Sequence, residues 1–214
     1  MDFCYSSAFQ AGHMNRDHLG DAYDYWKRAM LDVLRGGGRT LKIIPMFTDD
    51  PKWSEQEVST YEFLLGASTH EVVSPVKFHR KKGSRSYFDH AKKWRKYDLF
   101  LDPDTGIASN KSRHSSKKNR ISTKHLKNSE LKKLLNETNL VAVYQHAPRT
   151  GKGWLAEKLK DLRRNHIKAV GYEAGQVGMI FATKSAKRSS DVLKRLRNIA
   201  GPTAEPVSCR ITAG

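Results

Sequence analysis

The segment YDLFLDPDTGI, residues 97–107, decides the fold, because it joins a short apolar run directly to an acidic turn. The run at 97–101 predicts a buried strand, and Asp102-Pro103-Asp104 followed by Thr-Gly is turn chemistry that ends it. Two other apolar runs, at 40–47 and 140–146, also end in polar residues. Because ligands of open α/β sheets bind outside the carboxyl ends of the strands, this repeated pattern predicts a ligand-binding edge.

Helical patterns alternate with these strands along the chain. Alternation of this kind predicts an α/β fold with a mostly parallel, Rossmann-like sheet flanked by helices. A strand at 71–78, made peripheral by Pro75, and a C-terminal antiparallel hairpin at 168–184 complete the predicted sheet. We expect a single domain over 1–214, with a basic flexible loop at about 106–123. The predicted helices are 21–35, 54–66, 84–96, 123–138, 153–166 and 190–201.

Helix starts carry their own signals. Asp21 is the expected N-cap of the first helix, and Ser54 with Glu57 three residues later predicts a capping box. Ser189 or Ser190 is the expected cap of the last helix. The apolar face of the first helix is predicted to consist of Tyr23, Trp26, Met30, Val33 and Leu34.

The net charge of +17 is unevenly distributed, which bears on the partner. Residues 1–78 have a net charge of −3, residues 79–133 of +12 and residues 152–214 of +8. A surface this basic attracts polyanions, so we expect a nucleic-acid partner, DNA or RNA. The cations expected to contact it are Arg80, Lys81, Lys82, Arg85, Lys111, Arg113, Lys117, Lys118, Arg120 and Arg149.

The cellular location follows from what the sequence lacks. No apolar run approaches the length of about 18 residues that a membrane-spanning helix needs. The N-terminus does not have the pattern of a secretory signal. The two cysteines, Cys4 and Cys209, lie at opposite ends of the chain, which argues against a disulfide framework. We therefore expect a cytoplasmic protein with no membrane partner.

Three residues at the predicted strand ends are candidate catalytic groups. Asp102 and Asp104 follow one strand, and His146 ends another. If the strands are parallel, these side chains share one edge of the sheet, where a rigid scaffold can preorganise them. Asp-Pro-Asp-x-Gly is also ordinary turn sequence, so a purely structural role stays open for this motif.

The segments LGDAYDYWKRAMLDVL, YDLFLDPDTGI and VAVYQHAPR together resemble a family of bacterial and phage proteins of unassigned function. More distantly, the layout is similar to Rossmann-like S-adenosylmethionine methyltransferases of the ribosomal RNA adenine-N6 type. That resemblance implies that Lys27, with Asp49 or Asp50, contacts S-adenosylmethionine. It implies that Asp102 accepts a hydrogen bond from the target amino group.

The chain departs from the methyltransferase pattern at two places. No glycine occurs in Met46-Phe47-Thr48-Asp49-Asp50, where these enzymes have a glycine-rich turn. Thr105-Gly106 replaces the aromatic residue that stacks the flipped base, and Tyr144 is the candidate substitute.

Two other functions stay open. In a metal-dependent phosphodiesterase, Asp102 and Asp104, with Asp49, Asp50 or His146, would hold Mg²⁺ through oxygen ligands. In a non-enzymatic nucleic-acid-binding protein, the basic region would act alone, with Tyr87, Phe88 and Trp94 as stacking platforms. The competing interpretation is that Phe88 and Trp94 are core residues of a helix.

Overall fold

The computed structural model describes residues 19–36, 40–46, 53–68, 70–73, 83–103, 105–108, 125–147, 153–200 and 207–208. Within these ranges the chain forms a mixed α/β layer structure, as the alternating pattern predicts. The helices are α1 Ala22–Arg35, α2 Glu55–Leu64, α3 Gly83–Lys92, α4 Asn128–Glu137, α5 Trp154–Arg164 and α6 Ala186–Ala200. The strands are β1 Leu41–Pro45, β2 Asp98–Asp102, β3 Leu140–His146, β4 Lys168–Ala174, β5 Val177–Thr183 and β6 Val207–Ser208.

The strands form one open sheet in the order β1-β2-β3-β5-β4-β6. The first three strands are parallel, with Pro45 of β1 opposite Asp102 of β2. β5 runs antiparallel to both of its neighbours, β3 and β4. The carboxyl ends of β1, β2 and β3 therefore lie along one edge, which we call the carboxyl edge, and the starts of these strands lie along the opposite, amino edge.

The predicted strand at 71–78 is reduced, among the described residues, to one parallel bridge between Val72 and Ile43 of β1. The Ile43 N–H donates to the Glu71 carbonyl, and the Ile43 carbonyl accepts from the Val73 N–H. Since both backbone groups of Ile43 point to 71–73, this segment lies on the side of β1 away from β2. After β1, the chain thus first forms the 71–73 segment on one side of β1 and then returns to form β2 on the other side of β1.

Each face of the sheet is covered by its own apolar core. Leu99 and Leu101 of β2 pack with α3, α4 and α5, while Phe100 packs on the other face with α1, α2 and α6. This alternation follows from the two-residue period of a strand. It fixes the α1 and α2 helices on one face, from which their side chains reach the carboxyl edge.

The capping signals of the first two helices are confirmed. The Asp21 carboxylate accepts from the N–H groups of Tyr23 and Asp24, and Ser54 and Glu57 form the reciprocal capping box. The cap of the last helix was predicted wrongly: α6 begins at Ala186, because the Ser185 hydroxyl accepts from the Arg188 N–H. The Ser189 hydroxyl instead bonds the hydroxyl of Thr183.

The predicted loop at 106–123 begins with residues that are fixed in place. Ile107 is buried and forms a bridge with Leu126, which closes the base of the loop. The rest of the predicted loop lies outside the described residues. Among the described residues, no helix is long and apolar enough to cross a membrane.

Candidate active site at the carboxyl edge

A buried ion pair lies where β2 ends. The Lys27 Nζ of α1 is 2.9 Å from Asp102 Oδ2 and 3.2 Å from Asp24 Oδ1. All three side chains are buried, with at most 8% of each exposed. Removing three charged groups from water is costly unless they pair with one another, so this cluster is held together by its own geometry.

The cluster exists because α1 buries charged residues on its inner face. Asp24 and Lys27 are in phase with Leu31 and Leu34 at helical spacing, so all four face the sheet. Of the predicted apolar face, Met30, Val33 and Leu34 are buried and Trp26 is partly buried, whereas Tyr23 is 38% exposed, which contradicts its prediction. The Asp24 carboxylate also accepts from the Gly20 N–H at 2.9 Å, which fixes it at the start of the helix.

Tyr61 of α2 completes the environment of Asp102. Its hydroxyl donates to Asp102 Oδ2 at 2.9 Å, and its ring is fully buried with Trp53 packed edge-on against it. Burial and the neighbouring carboxylate of Asp102 raise the pKa of Tyr61 well above its usual value. The Tyr61 hydroxyl therefore keeps its proton and donates a hydrogen bond to Asp102 across the physiological pH range.

The charges of the cluster do not cancel. Burial raises the pKa of Asp24, although the Lys27 ammonium opposes the shift. Burial alone would lower the pKa of Lys27, but the carboxylates of Asp102 and Asp24 outweigh it and raise the pKa. Lys27 is thus a fixed cation between two carboxylates, and when both are ionised the cluster has one excess negative charge.

Tyr144 does not present its ring to a ligand as the resemblance would require. The side chain is only 2% exposed, and the Lys27 ammonium lies 4.5 Å from its ring centroid. Trp26 and His146 pack edge-on against the same ring, at centroid distances of 6.1 and 4.9 Å. The Tyr144 ring therefore serves as a cation–π partner of Lys27 rather than as a stacking platform.

Gln145 of β3 holds the turn after β2 in place through two hydrogen bonds. Its Oε1 accepts from the Ile107 N–H at 2.9 Å, and its Nε2 donates to the Thr105 carbonyl at 3.1 Å. Gly106 lies between these two bonds with φ of +78°, and a Cβ there would lie 2.0 Å from Gln145 Nε2. The glycine of Asp-Pro-Asp-x-Gly is thus required by close approach as well as by backbone conformation.

Three of the predicted site residues are brought to this edge. Lys27 and Asp102, which were assigned separate roles, contact each other, and the exposed His146 reaches the cluster through Tyr144. Several other predicted residues lie outside the described ranges, and only the backbone of Arg85 is described, in α3. Those outside are Asp49, Asp50, Asp104, Arg80, Lys81, Lys82, Lys111, Arg113, Lys117, Lys118, Arg120 and Arg149.

Asp24 and Tyr61 were missed from the sequence. Asp24 could have been found from its spacing. Asp24 and Lys27 are in phase with the apolar stripe of α1, whereas charged residues of an amphipathic helix normally lie on the opposite, exposed face. Tyr61 had no such signal, because its contact depends on how α2 packs beside α1.

The aromatic residues of the basic segment belong to the core. Tyr87 is fully buried and donates to the Ile44 carbonyl, and Phe88 is 8% exposed. Trp94 is partly buried against the same core. Their interpretation as stacking platforms is therefore wrong for Tyr87 and Phe88, because their faces are occupied by neighbouring side chains.

No group of three or more histidine, cysteine or acidic side chains that could hold a metal ion occurs within the described ranges. Comparison of the chain with protein-family models, with characterised proteins and with solved structures returned no match. The proposed function therefore rests on the buried Lys27–Asp102 cluster at the carboxyl edge.

Proposed function

We propose that the protein is a nucleic-acid methyltransferase that binds S-adenosylmethionine at the carboxyl edge, beside Lys27 and Asp102. The observation that carries the proposal is the buried Lys27–Asp102 ion pair at the end of β2. Perturbed, buried ionisable groups concentrate at functional sites, and a cluster with a net charge is costly to retain for stability alone.

The path of the chain around β1 supports this position for the site. The chain passes from β1 to the 71–73 segment on one side and then to β2 on the other. Such a reversal is a topological switch point, and ligands of doubly wound sheets bind in the crevice that it creates at the carboxyl ends. Asp102 ends β2 at this crevice, and its backbone carbonyl accepts from the Met46 N–H just after β1.

The rest of the sheet is compatible with a Rossmann-like methyltransferase. The C-terminal hairpin is similar to the end of the methyltransferase sheet, whose last strand is antiparallel. Here β5 runs antiparallel between β3 and β4, which are parallel to each other. Fold alone does not fix function, so this agreement supports the proposal only together with the site.

The charge of the cluster suits the proposed cofactor. S-adenosylmethionine has a sulfonium cation, and when both carboxyl groups are ionised the cluster has one negative charge more than its single ammonium balances. Among the described residues, both recorded side-chain partners of Asp102 bond to Oδ2. The resemblance implies that the Asp102 carboxylate accepts a hydrogen bond from the target amino group. Asp49 and Asp50 stay predicted cofactor contacts, and Asp104 and His146 stay predicted catalytic groups.

Phosphodiester cleavage with Mg²⁺ is the second candidate, and the geometry favours it less. An ammonium already lies between Asp24 and Asp102, and it occupies the position beside these carboxylates that a divalent cation would need. A metal ion at this position would have to displace Lys27 from both of them. The monovalent sulfonium requires no such displacement.

Transfer of a labelled methyl group tests the proposal. The purified protein is incubated with methyl-labelled S-adenosylmethionine and with total RNA or genomic DNA, in the presence of a chelator. The proposal predicts label in the nucleic acid. Degradation of a labelled strand that requires Mg²⁺, with no methyl transfer, would support the phosphodiesterase instead.

A further inference from the structure

The amino edge of the sheet, opposite the candidate active site, has an exposed basic surface that the predicted polyanion-binding residues do not include. Lys92 at the end of α3, with Lys93 and Lys96 in the turn before β2, contributes to it. Lys184 in the turn after β5 and Lys187 at the start of α6 complete it. All five side chains are exposed, and we call them the amino-edge lysines.

Backbone and side-chain contacts hold these two turns at the same edge. The Thr138 hydroxyl, just before β3, donates to the Arg95 carbonyl at 2.8 Å. The Lys184 N–H donates to the Asn139 carbonyl at 3.2 Å. Arg188 of α6 then reaches back to Asp98, the first residue of β2, at 2.7 Å. The turns before β2 and after β5 are thus joined through the start of β3 and by α6.

The acidic groups recorded in these contacts are already matched by arginines. Asp98 is buried against Arg188, and the Glu137 carboxylate lies 2.6 Å from Arg95. Lys42 adds a further cation beneath the turn, where its ammonium lies 5.0 Å from the ring centroid of Trp94 and 5.2 Å from that of Tyr97. The amino-edge lysines therefore form an excess of positive charge that faces solvent.

We infer that the amino-edge lysines bind the phosphate backbone of nucleic acid, as an anchoring surface separate from the candidate active site. The inference rests on the nucleic-acid partner of the proposed function, but not on methyl transfer. Four residue steps along β2 separate Asp98 from Asp102, a distance of about 13 Å. The part of a nucleic acid that is bound at the amino edge is therefore held away from Asp102, and a different part of the same nucleic acid enters the site.

The local apolar content favours nucleic acid over a membrane surface. Apolar side chains that insert beside the cations strengthen binding to an anionic membrane. Of the large apolar side chains that are exposed among the described residues, only Tyr97, 36% exposed, lies in either of the two turns. A partly exposed ring among lysines suits phosphate contact with occasional base stacking.

Charge neutralisation at matched positions tests the inference. One variant combines Lys93→Gln, Lys96→Gln and Lys187→Gln. The control combines Lys132→Gln, Lys160→Gln and Lys194→Gln, which remove the same charge from exposed positions within α4, α5 and α6. Binding of fluorescein-labelled oligothymidine is followed by anisotropy between about 50 and 200 mM salt, the range over which phosphate contacts weaken strongly.

We expect the amino-edge variant to bind at least tenfold more weakly than wild type at the lower salt concentration. Loss of three phosphate contacts should also reduce the slope of log K against log salt by about 2. The control should change affinity by less than about threefold. Equal loss in both variants, or no binding of the oligonucleotide by wild type, would overturn the inference.

Two further measurements keep the inference separate from the proposed function. S-adenosylmethionine binding by the amino-edge variant should equal that of wild type, because Lys27 and Asp102 are unchanged. Loss of cofactor binding in this variant would show that the surface is not separate from the site. Wild-type binding to phosphatidylserine vesicles, lost in the variant while oligonucleotide binding is kept, would assign the surface to lipid and contradict the inference.

Discussion

The Lys27 ammonium lies 2.9 Å from the Asp102 carboxylate, although 75 positions separate the two residues in the sequence. The contact joins α1 to the end of β2. Asp24 also bonds the Lys27 ammonium, and the Tyr61 hydroxyl also bonds the Asp102 carboxylate. Since the cluster is buried and charged, its members should be coupled in stability as well as in function.

Removing Lys27 should be strongly destabilising. Lys27→Met leaves two buried carboxylates without their cation, which should cost about 3–5 kcal/mol of unfolding free energy. Asp102→Asn should cost less, because Asp24 still pairs with Lys27. The double variant should be more stable than the sum of the two losses predicts, by about 1 kcal/mol or more. Urea unfolding of the four proteins measures this coupling, and strict additivity would contradict a direct ion pair.

Tyr61→Phe isolates the hydrogen bond to Asp102. Because the acceptor is a buried carboxylate, its loss should cost about 1.5–3 kcal/mol. Tyr87→Phe is the comparison, since it removes an equally buried hydroxyl that bonds the neutral carbonyl of Ile44 and the backbone of Asp102, not its carboxylate, and should cost about 0.5–1.5 kcal/mol. On the proposed function, only Tyr61→Phe should weaken S-adenosylmethionine binding. Equal effects of the two variants on cofactor affinity would mean that Tyr61 has no special role at the site.

Gly106→Ala should disrupt the turn after β2. Gly106 and Gly153 share a φ of +78°, but a Cβ at Gly106 would lie 2.0 Å from Gln145, whereas no atom of the described residues lies within 4 Å of a Cβ at Gly153. Both variants incur the backbone cost of about 1–2 kcal/mol, and only Gly106→Ala must also displace the Gln145 side chain. Thermal unfolding should therefore rank Gly106→Ala clearly below Gly153→Ala. The same melting temperature for both variants would show that the Gln145 side chain can move aside without a loss of stability.

Lys158 should make stability depend on pH. Burial lowers the pKa of this lysine from 10.5 to about 8, while its ammonium donates to the Ile107 carbonyl. Between these two values the unfolded chain binds more protons than the folded protein, so the unfolding free energy should rise as pH increases. Urea midpoints measured from about pH 8 to 9.5 should rise in wild type.

The matched variants for this test are Lys158→Met and Lys160→Met. The first has no titrating group at this position and should lose the rise, whereas the exposed Lys160 should leave it intact. A rise that persists in Lys158→Met would assign it to another group.

The layer architecture could be predicted because its signals are local. Apolar runs of strand length, capping residues and helical periodicity are each contained in one segment, and they predicted most elements to within a few residues. The failures were also local: Ser185, a residue outside the predicted helix, caps α6 in place of Ser189 or Ser190.

The site could be predicted only in part, because its contacts span the chain. Asp102 was found from the end of its strand, and Lys27 from a resemblance, but their pairing depends on how α1 crosses the sheet. Tyr144 shows the limit most clearly. Its sequence position suggested a stacking residue, whereas packing placed Lys27 over its ring. Residue type and spacing do not specify which face of a ring remains open.

Calorimetric titration of S-adenosylmethionine in the presence of a chelator tests the central claim most directly, with wild type and Asp102→Asn compared at equal folded fraction. The account predicts binding by wild type without added metal, and at least tenfold weaker binding by Asp102→Asn, since that variant removes the excess negative charge of the cluster. No binding by wild type, together with heat from a separate Mg²⁺ titration without chelator that Asp102→Asn abolishes, would contradict the account and favour phosphodiester chemistry.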